Sequence, residues 1–251
     1  MPRFAHSDFE FDYLDEGDGD PVILIHGFAS NKQVNWVSPG WVKTLVDAGY
    51  RVLALDNRGH GGSSKSHDPS DYSPELMAGD AIALLDQAGV GRAHVMGYSM
   101  GARNAAFVAL QAPHRVGALV FGGLGRGMIE GVGDWDPIAR ALLADDPATI
   151  TDPQGRAFRK FADQTKSDRQ ALAACIERSR KLLSPHEARR ITAPALVAVG
   201  TKDDIAGDPD GLVDVLGNGT SFAVEGRDHM LAVGDGTFKK RVIEFLAENP
   251  L

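Results

Sequence analysis

Short apolar runs recur along the chain, and most stop at a glycine or a polar turn. Val22-Ile23-Leu24-Ile25 runs into His26-Gly27, and Val52-Leu53-Ala54-Leu55 into Asp56. Ala93-His94-Val95-Met96 meets Gly97, Ala118-Leu119-Val120-Phe121 meets Gly122-Gly123, and Ala195–Val199 meets Gly200. Unbroken runs of four or five apolar residues suit strands buried on both faces, as in a parallel sheet. Between them, apolar spacing of three and four predicts helices near 40–48, 74–88, 100–112 and 235–247. Residues 3–16 alternate more loosely and predict an antiparallel edge hairpin. The alternation of strand and helix signals predicts a doubly wound α/β fold: a mostly parallel twisted sheet flanked by helices.

One stretch departs from this rhythm. From Arg126 to Arg190 there is no strand pattern, only helical patterns over Trp135–Ala144, Ala157–Thr165 and Arg169–Leu183. Asp134 and Asp168 stand where helix starts are expected. The reading is a helical cap over 126–190, inserted after the sixth strand into a core made of 1–125 and 191–251.

Composition narrows the partners. Charged residues make up 24% of the 251 residues and the net charge is −8, which lacks the basic footprint of a nucleic-acid binder. No apolar run approaches the roughly 18 residues that span a bilayer, so no membrane insertion is expected. The single cysteine, Cys175, excludes an intramolecular disulfide and a cysteine-based zinc site. Met1–Asp8 contains no apolar leader, and a cytoplasmic location is expected.

Gly97-Tyr98-Ser99-Met100-Gly101 reads G-x-S-x-G, with an apolar strand before it and a helical segment after it. A serine on such a strand-to-helix turn exposes its hydroxyl, and the helix start favours negative charge beside it. Serine needs a base, and the base needs a carboxylate to hold it. His229 follows the strand-like Ser221–Val224 and precedes the last helix, a place from which a base can reach the turn. Among the other histidines, His6, His67, His114 and His186 lie in polar surroundings and read as solvated. His94 reads as structural, and His60 lies in a glycine-rich loop upstream of the serine. The acid falls in Gly200-Thr201-Lys202-Asp203-Asp204, where two adjacent aspartates cannot both aim at one imidazole. The oxyanion donors are expected to be backbone N–H groups: Met100, after the nucleophile, and Phe28, after the strand 22–25.

With these marks in order, the sequence resembles the α/β-hydrolase superfamily, and most of all its small cap-bearing esterases, haloperoxidase-like perhydrolases, lactonases and C–C hydrolases. His26-Gly27-Phe28 resembles the family's oxyanion loop, Asp56–Ser63 its D-x-R-G-x-G-x-S segment, and Gly226-x-x-His229 its histidine loop. Gly200-x-x-Asp203 matches its acid loop, so the resemblance points to Asp203 over Asp204. Serine at the elbow argues against epoxide hydrolases and haloalkane dehalogenases, which carry aspartate there. Tyr98 and Ala102 depart from the G-N-S-x-G-G of many C–C hydrolases.

The resemblance implies a carboxylic ester hydrolase that forms an acyl-enzyme on small to medium apolar acyl groups. It implies no cofactor and no metal, with Phe28 and Met100 also lining the substrate site. C–C bond or enol-lactone hydrolysis by the same triad is the alternative within enzymes; a non-catalytic small-molecule receptor is the alternative outside them. No anchoring cation is evident. Arg58 reads as a structural turn residue, Arg103 as pointing away from the site, and Arg126, at the start of the cap, as the one arginine able to reach the pocket. Trp36 and Trp41 read as core packing.

Overall fold

The computed structural model describes residues 2–251. Its strands are β1 (Arg3–His6), β2 (Phe9–Glu16), β3 (Asp20–Ile25), β4 (Tyr50–Leu55), β5 (Ala93–Tyr98), β6 (Val116–Gly122), β7 (Ala195–Gly200) and β8 (Gly219–Val224). They form one eight-stranded sheet in the order β1-β2-β4-β3-β5-β6-β7-β8. β1 and β2 pair antiparallel at one edge, β2 joins β4 antiparallel, and every other pairing is parallel. The strands read from apolar runs are therefore the parallel ones, and the loosely alternating 3–16 is the edge hairpin.

The helices are α1 (Trp41–Asp47), α2 (Pro74–Gln87), α3 (Met100–Gln111), α4 (Gly127–Glu130), α5 (Asp136–Leu143), α6 (Pro153–Gln164), α7 (Arg169–Arg178), α8 (Pro185–Arg189), α9 (Pro209–Val213), α10 (His229–Ala232) and α11 (Gly236–Glu248). Between β6 and β7 the chain forms helices α4 to α8 and no strand among the described residues. Two local expectations shift. Asp134 lies two residues before α5 and accepts from the Asp136 N–H at 3.0 Å, while Trp135 holds the cap position. α7 stops at Arg178, because the chain turns back to α4: Leu183 N–H donates to Met128 O, and the Lys181 carbonyl accepts from Arg103.

Two apolar layers cover the sheet. One packs α2 and α3 against residues such as Ile23, Leu53, Val95 and Leu119. The other packs α1 and α11 against Leu24, Val52, Met96 and Leu196. Trp36 and Trp41 are fully buried in the second, edge-to-face with each other, and Trp41 also meets Phe238. A third cluster joins Phe28 and Met100 to Trp135, Ile138, Leu142 and Leu172, fixing the inserted helices over the ends of β3 and β5.

Two buried histidines make this core acid-sensitive. His94 accepts from the Ala118 N–H, and His60 hydrogen-bonds to Arg58 O. Burial lowers His60 to about 3 and His94 to about 4. Both are neutral in the fold and protonate in the unfolded chain near 6.5, so stability is present above that pH and is lost as pH falls toward 4. Each costs about 1.4 kcal/mol per pH unit in that window. Thermal melts are expected to show a clearly lower Tm at pH 5 than at pH 7.5; a flat or rising Tm contradicts the neutral assignment.

Candidate active site

The elbow between β5 and α3 places Ser99 at φ 55°, ψ −115°, a sparsely populated conformation for a residue with a Cβ. Tight packing makes this turn possible only with glycine on both sides. A Cβ on Gly97 would lie 2.0 Å from the Gly101 carbonyl oxygen, and one on Gly101 would lie 1.9 Å from Ile25 O. The G-x-S-x-G spacing is thus the footprint of α3 sitting directly on the end of β3.

His229 reaches the serine from the start of α10. Its Nε2 lies 3.1 Å from Ser99 Oγ and its Nδ1 lies 2.8 Å from Asp203 Oδ2. A carboxylate can only accept, so Nδ1 carries the proton and Nε2 presents a lone pair to the serine hydroxyl. Asp203 has no exposed side-chain surface. Its other oxygen accepts from Ile205 and Ala206 N–H, both at 2.9 Å, so the carboxylate is locked in place. Asp204 is exposed to solvent. Tyr98 was not singled out as a site residue from sequence, yet its hydroxyl donates to His229 O at 2.6 Å and its ring packs against the imidazole. It braces the histidine loop from the residue next to the serine.

Phe28 follows a loop that the Asp56–Ser63 segment holds. His26 Nε2 accepts from the Asn57 N–H, so its proton sits on Nδ1 and donates to Gly27 O at 2.8 Å. Burial lowers the His26 pKa, in keeping with this neutral role. The Asp56 carboxylate takes the Lys32 ammonium and the N–H groups of Lys32 and Gly62, all at 2.7 Å. Arg58 makes a buried two-point pair with Asp80, which also accepts from His6 Nδ1 at 2.9 Å; His6 is therefore hydrogen-bonded and half-buried rather than free in solvent. The Phe28 and Met100 N–H groups donate to no acceptor among the described residues. Asn35, in a single π-helical turn (Gln33–Val37) with no sequence signal, accepts the Gly27 N–H on its Oδ1 at 3.1 Å and sets the loop's direction.

Ser99 stands between two cavities. The larger, about 500 Å³, is lined by Gly27, Phe28, Phe158, Phe161, His229 and Met230, with Lys160 among its polar residues. The smaller, about 40 Å³, lies under the inserted helices, against Phe28, Met100, Leu124, Val132 and Ile176. Arg103 and Arg180 also line it. This reverses the sequence expectation for the arginines. Arg126 is exposed and paired with Glu130. Arg103 is drawn toward the site because its Nη1 donates to Met128 and Lys181 carbonyls in the inserted segment. Arg180 was missed because the helical pattern ran past it.

The family model for the alpha/beta hydrolase fold matches residues 20–151, and the chain belongs to that family. Over 125 residues it is 37% identical to a 2-hydroxy-6-oxononadienedioate/2-hydroxy-6-oxononatrienedioate hydrolase from Burkholderia vietnamiensis, covering 46% of this chain and 40% of that protein. A Mycobacterium tuberculosis protein provisionally named a non-heme bromoperoxidase, BpoC, is 27% identical over 245 residues, covering 87% of this chain and 90% of that one. An esterase from Exiguobacterium antarcticum shares the fold at a TM-score of 0.79, with 18% identity over 95% of this chain and 96% of that chain. No helix among the described residues is long and apolar enough to cross a membrane.

Proposed function

We propose that the protein hydrolyses carboxylic esters of small molecules through an acyl-enzyme on Ser99. The observation that carries this reading is the hydrogen-bonded line from Asp203 through His229 to Ser99, at 2.8 and 3.1 Å. His229 takes the hydroxyl proton as Ser99 attacks the ester carbonyl. The charge that develops on His229 is held by the buried Asp203, and the carbonyl oxygen takes the free N–H groups of Phe28 and Met100. His229 then gives its proton to the leaving alcohol. Water, activated by the same imidazole, releases the acid and restores the serine.

The two cavities divide the substrate. His229 lines only the larger one, so the group it protonates leaves on that side. The acyl part then occupies the smaller cavity, whose size suits a short chain. Serine at position 99 and the absence of aspartate there separate this reading from epoxide hydrolysis, the activity named for several relatives.

Purified protein is expected to turn over neutral short-chain esters faster than lactones or vinylogous diketones. The check is a substrate panel followed by product chromatography. Turnover confined to the diketones would replace ester hydrolysis with C–C hydrolysis, and binding without turnover would replace it with a receptor role.

A further inference from the structure

Two arginines meet at the small cavity beside Ser99 with no acid to balance them. Arg103 is 4% exposed. Its Nη1 donates to Met128 and Lys181 carbonyls at 2.9 Å each, and its Nη2 donates to Gly127 O at 3.3 Å. These bonds leave the Nε–H and one Nη2–H without an acceptor among the described residues. Arg180 spends only its Nε–H, on Ile176 O at 3.0 Å, and its guanidinium lies 6.0 Å from the Trp135 ring. The arginines buried elsewhere, Arg58 and Arg159, each pair with a carboxylate, Asp80 and Asp163, whereas Arg180 is half-buried. Arg103 and Arg180 pair with none among the described residues. Burial and the neighbouring Arg180 charge lower Arg103 to about 10. A buried cation with unpaired N–H donors beside a like charge, as Arg103 is beside Arg180, is unfavourable unless an anion joins them.

We infer that this cavity is a carboxylate subsite, and that the substrate's acyl half carries a carboxylate. The inference rests on the acyl-enzyme reading for which half of the substrate lies there. Ser99, Arg103 and Arg180 line the same small cavity, so a carboxylate held there is joined to the scissile carbonyl by a short linker. A water-sized group needs about 10–15 Å³, so about 40 Å³ holds roughly three heavy atoms, enough for the carboxylate itself, with the linking carbons on the Ser99 side. Planar guanidinium groups match a carboxylate with paired N–H donors. The substrate class is the half-ester of a short dicarboxylic acid. Its hydrolysis consumes one water and yields the diacid and an alcohol, so no further reactant is needed. The alcohol, on the His229 side, is free to be large and apolar.

The test compares monobenzyl succinate with benzyl butyrate, a near match in length without the charge. Wild-type protein is expected to favour the half-ester by at least about tenfold in kcat/KM. Arg180→Met should reduce that ratio by about tenfold or more, and Arg180→Lys should restore part of it. A readout without turnover is calorimetric binding of succinate to Ser99→Ala, expected to weaken when Arg180→Met is added. A preference for benzyl butyrate, or a ratio untouched by Arg180→Met, overturns the inference while ester hydrolysis stands. A preference for 4-(butyryloxymethyl)benzoate, with its charge on the alcohol, overturns the placement on the acyl side. Arg180-dependent succinate binding without turnover of any ester keeps the subsite and removes the ester reading.

Discussion

His229→Ala is expected to lower kcat by about 10⁴–10⁶, and Ser99→Ala by a similar amount, with the fold intact. The size follows from shared work. The imidazole touches Ser99 on one nitrogen and Asp203 on the other, so removing it leaves the hydroxyl without a base and the carboxylate without a partner. Combining the two substitutions should cost little more than either alone, because both disable one unit. Steady-state kinetics on a benzyl ester, with circular dichroism to check folding, measures this. A His229→Ala protein with near-wild-type kcat would show that another group serves as the base.

Asp203→Asn is expected to cost about 10³–10⁴ in kcat, while Asp204→Asn should change it by less than about threefold. Asp203 Oδ2 holds the Nδ1–H of His229, and its Oδ1 holds two loop N–H groups. An amide that keeps its oxygen toward Ile205 and Ala206 turns its NH₂ toward the imidazole. The imidazole must then present a lone pair on Nδ1 and a proton on Nε2, the wrong tautomer for a base facing Ser99. Asp204 lies in solvent and touches neither group. Parallel kinetics on the two variants decide the order, and a larger loss at Asp204 would move the acid by one residue.

Much of this arrangement was legible because backbone crowding leaves marks in sequence. Gly97 and Gly101 are required where α3 meets β3, so the elbow announces itself. The parallel strands were readable because both faces are buried, which forces unbroken apolar runs. The side chains that tune the site were harder to see. Asn35 acts from a π-helical turn that follows no simple periodicity. Tyr98 looks like a variable position inside the motif, although its hydroxyl carries the histidine loop. The arginines were misjudged for a tertiary reason. Position along α3 says which face Arg103 occupies but not that Gly127, Met128 and Lys181 carbonyls wait on that face. Helical periodicity likewise could not show that α7 ends at Arg178 and frees Arg180 to face the cavity.

The central claim is a covalent acyl intermediate on Ser99, and intact-protein mass spectrometry after rapid acid quench of an ester reaction tests it most directly. A mass increase equal to the acyl group, mapped by peptide analysis to the Gly97–Gly101 turn, present in wild-type protein and absent in Ser99→Ala, is the expected result. Ester turnover with no adduct under any quench time, or an adduct that persists in Ser99→Ala, would contradict it.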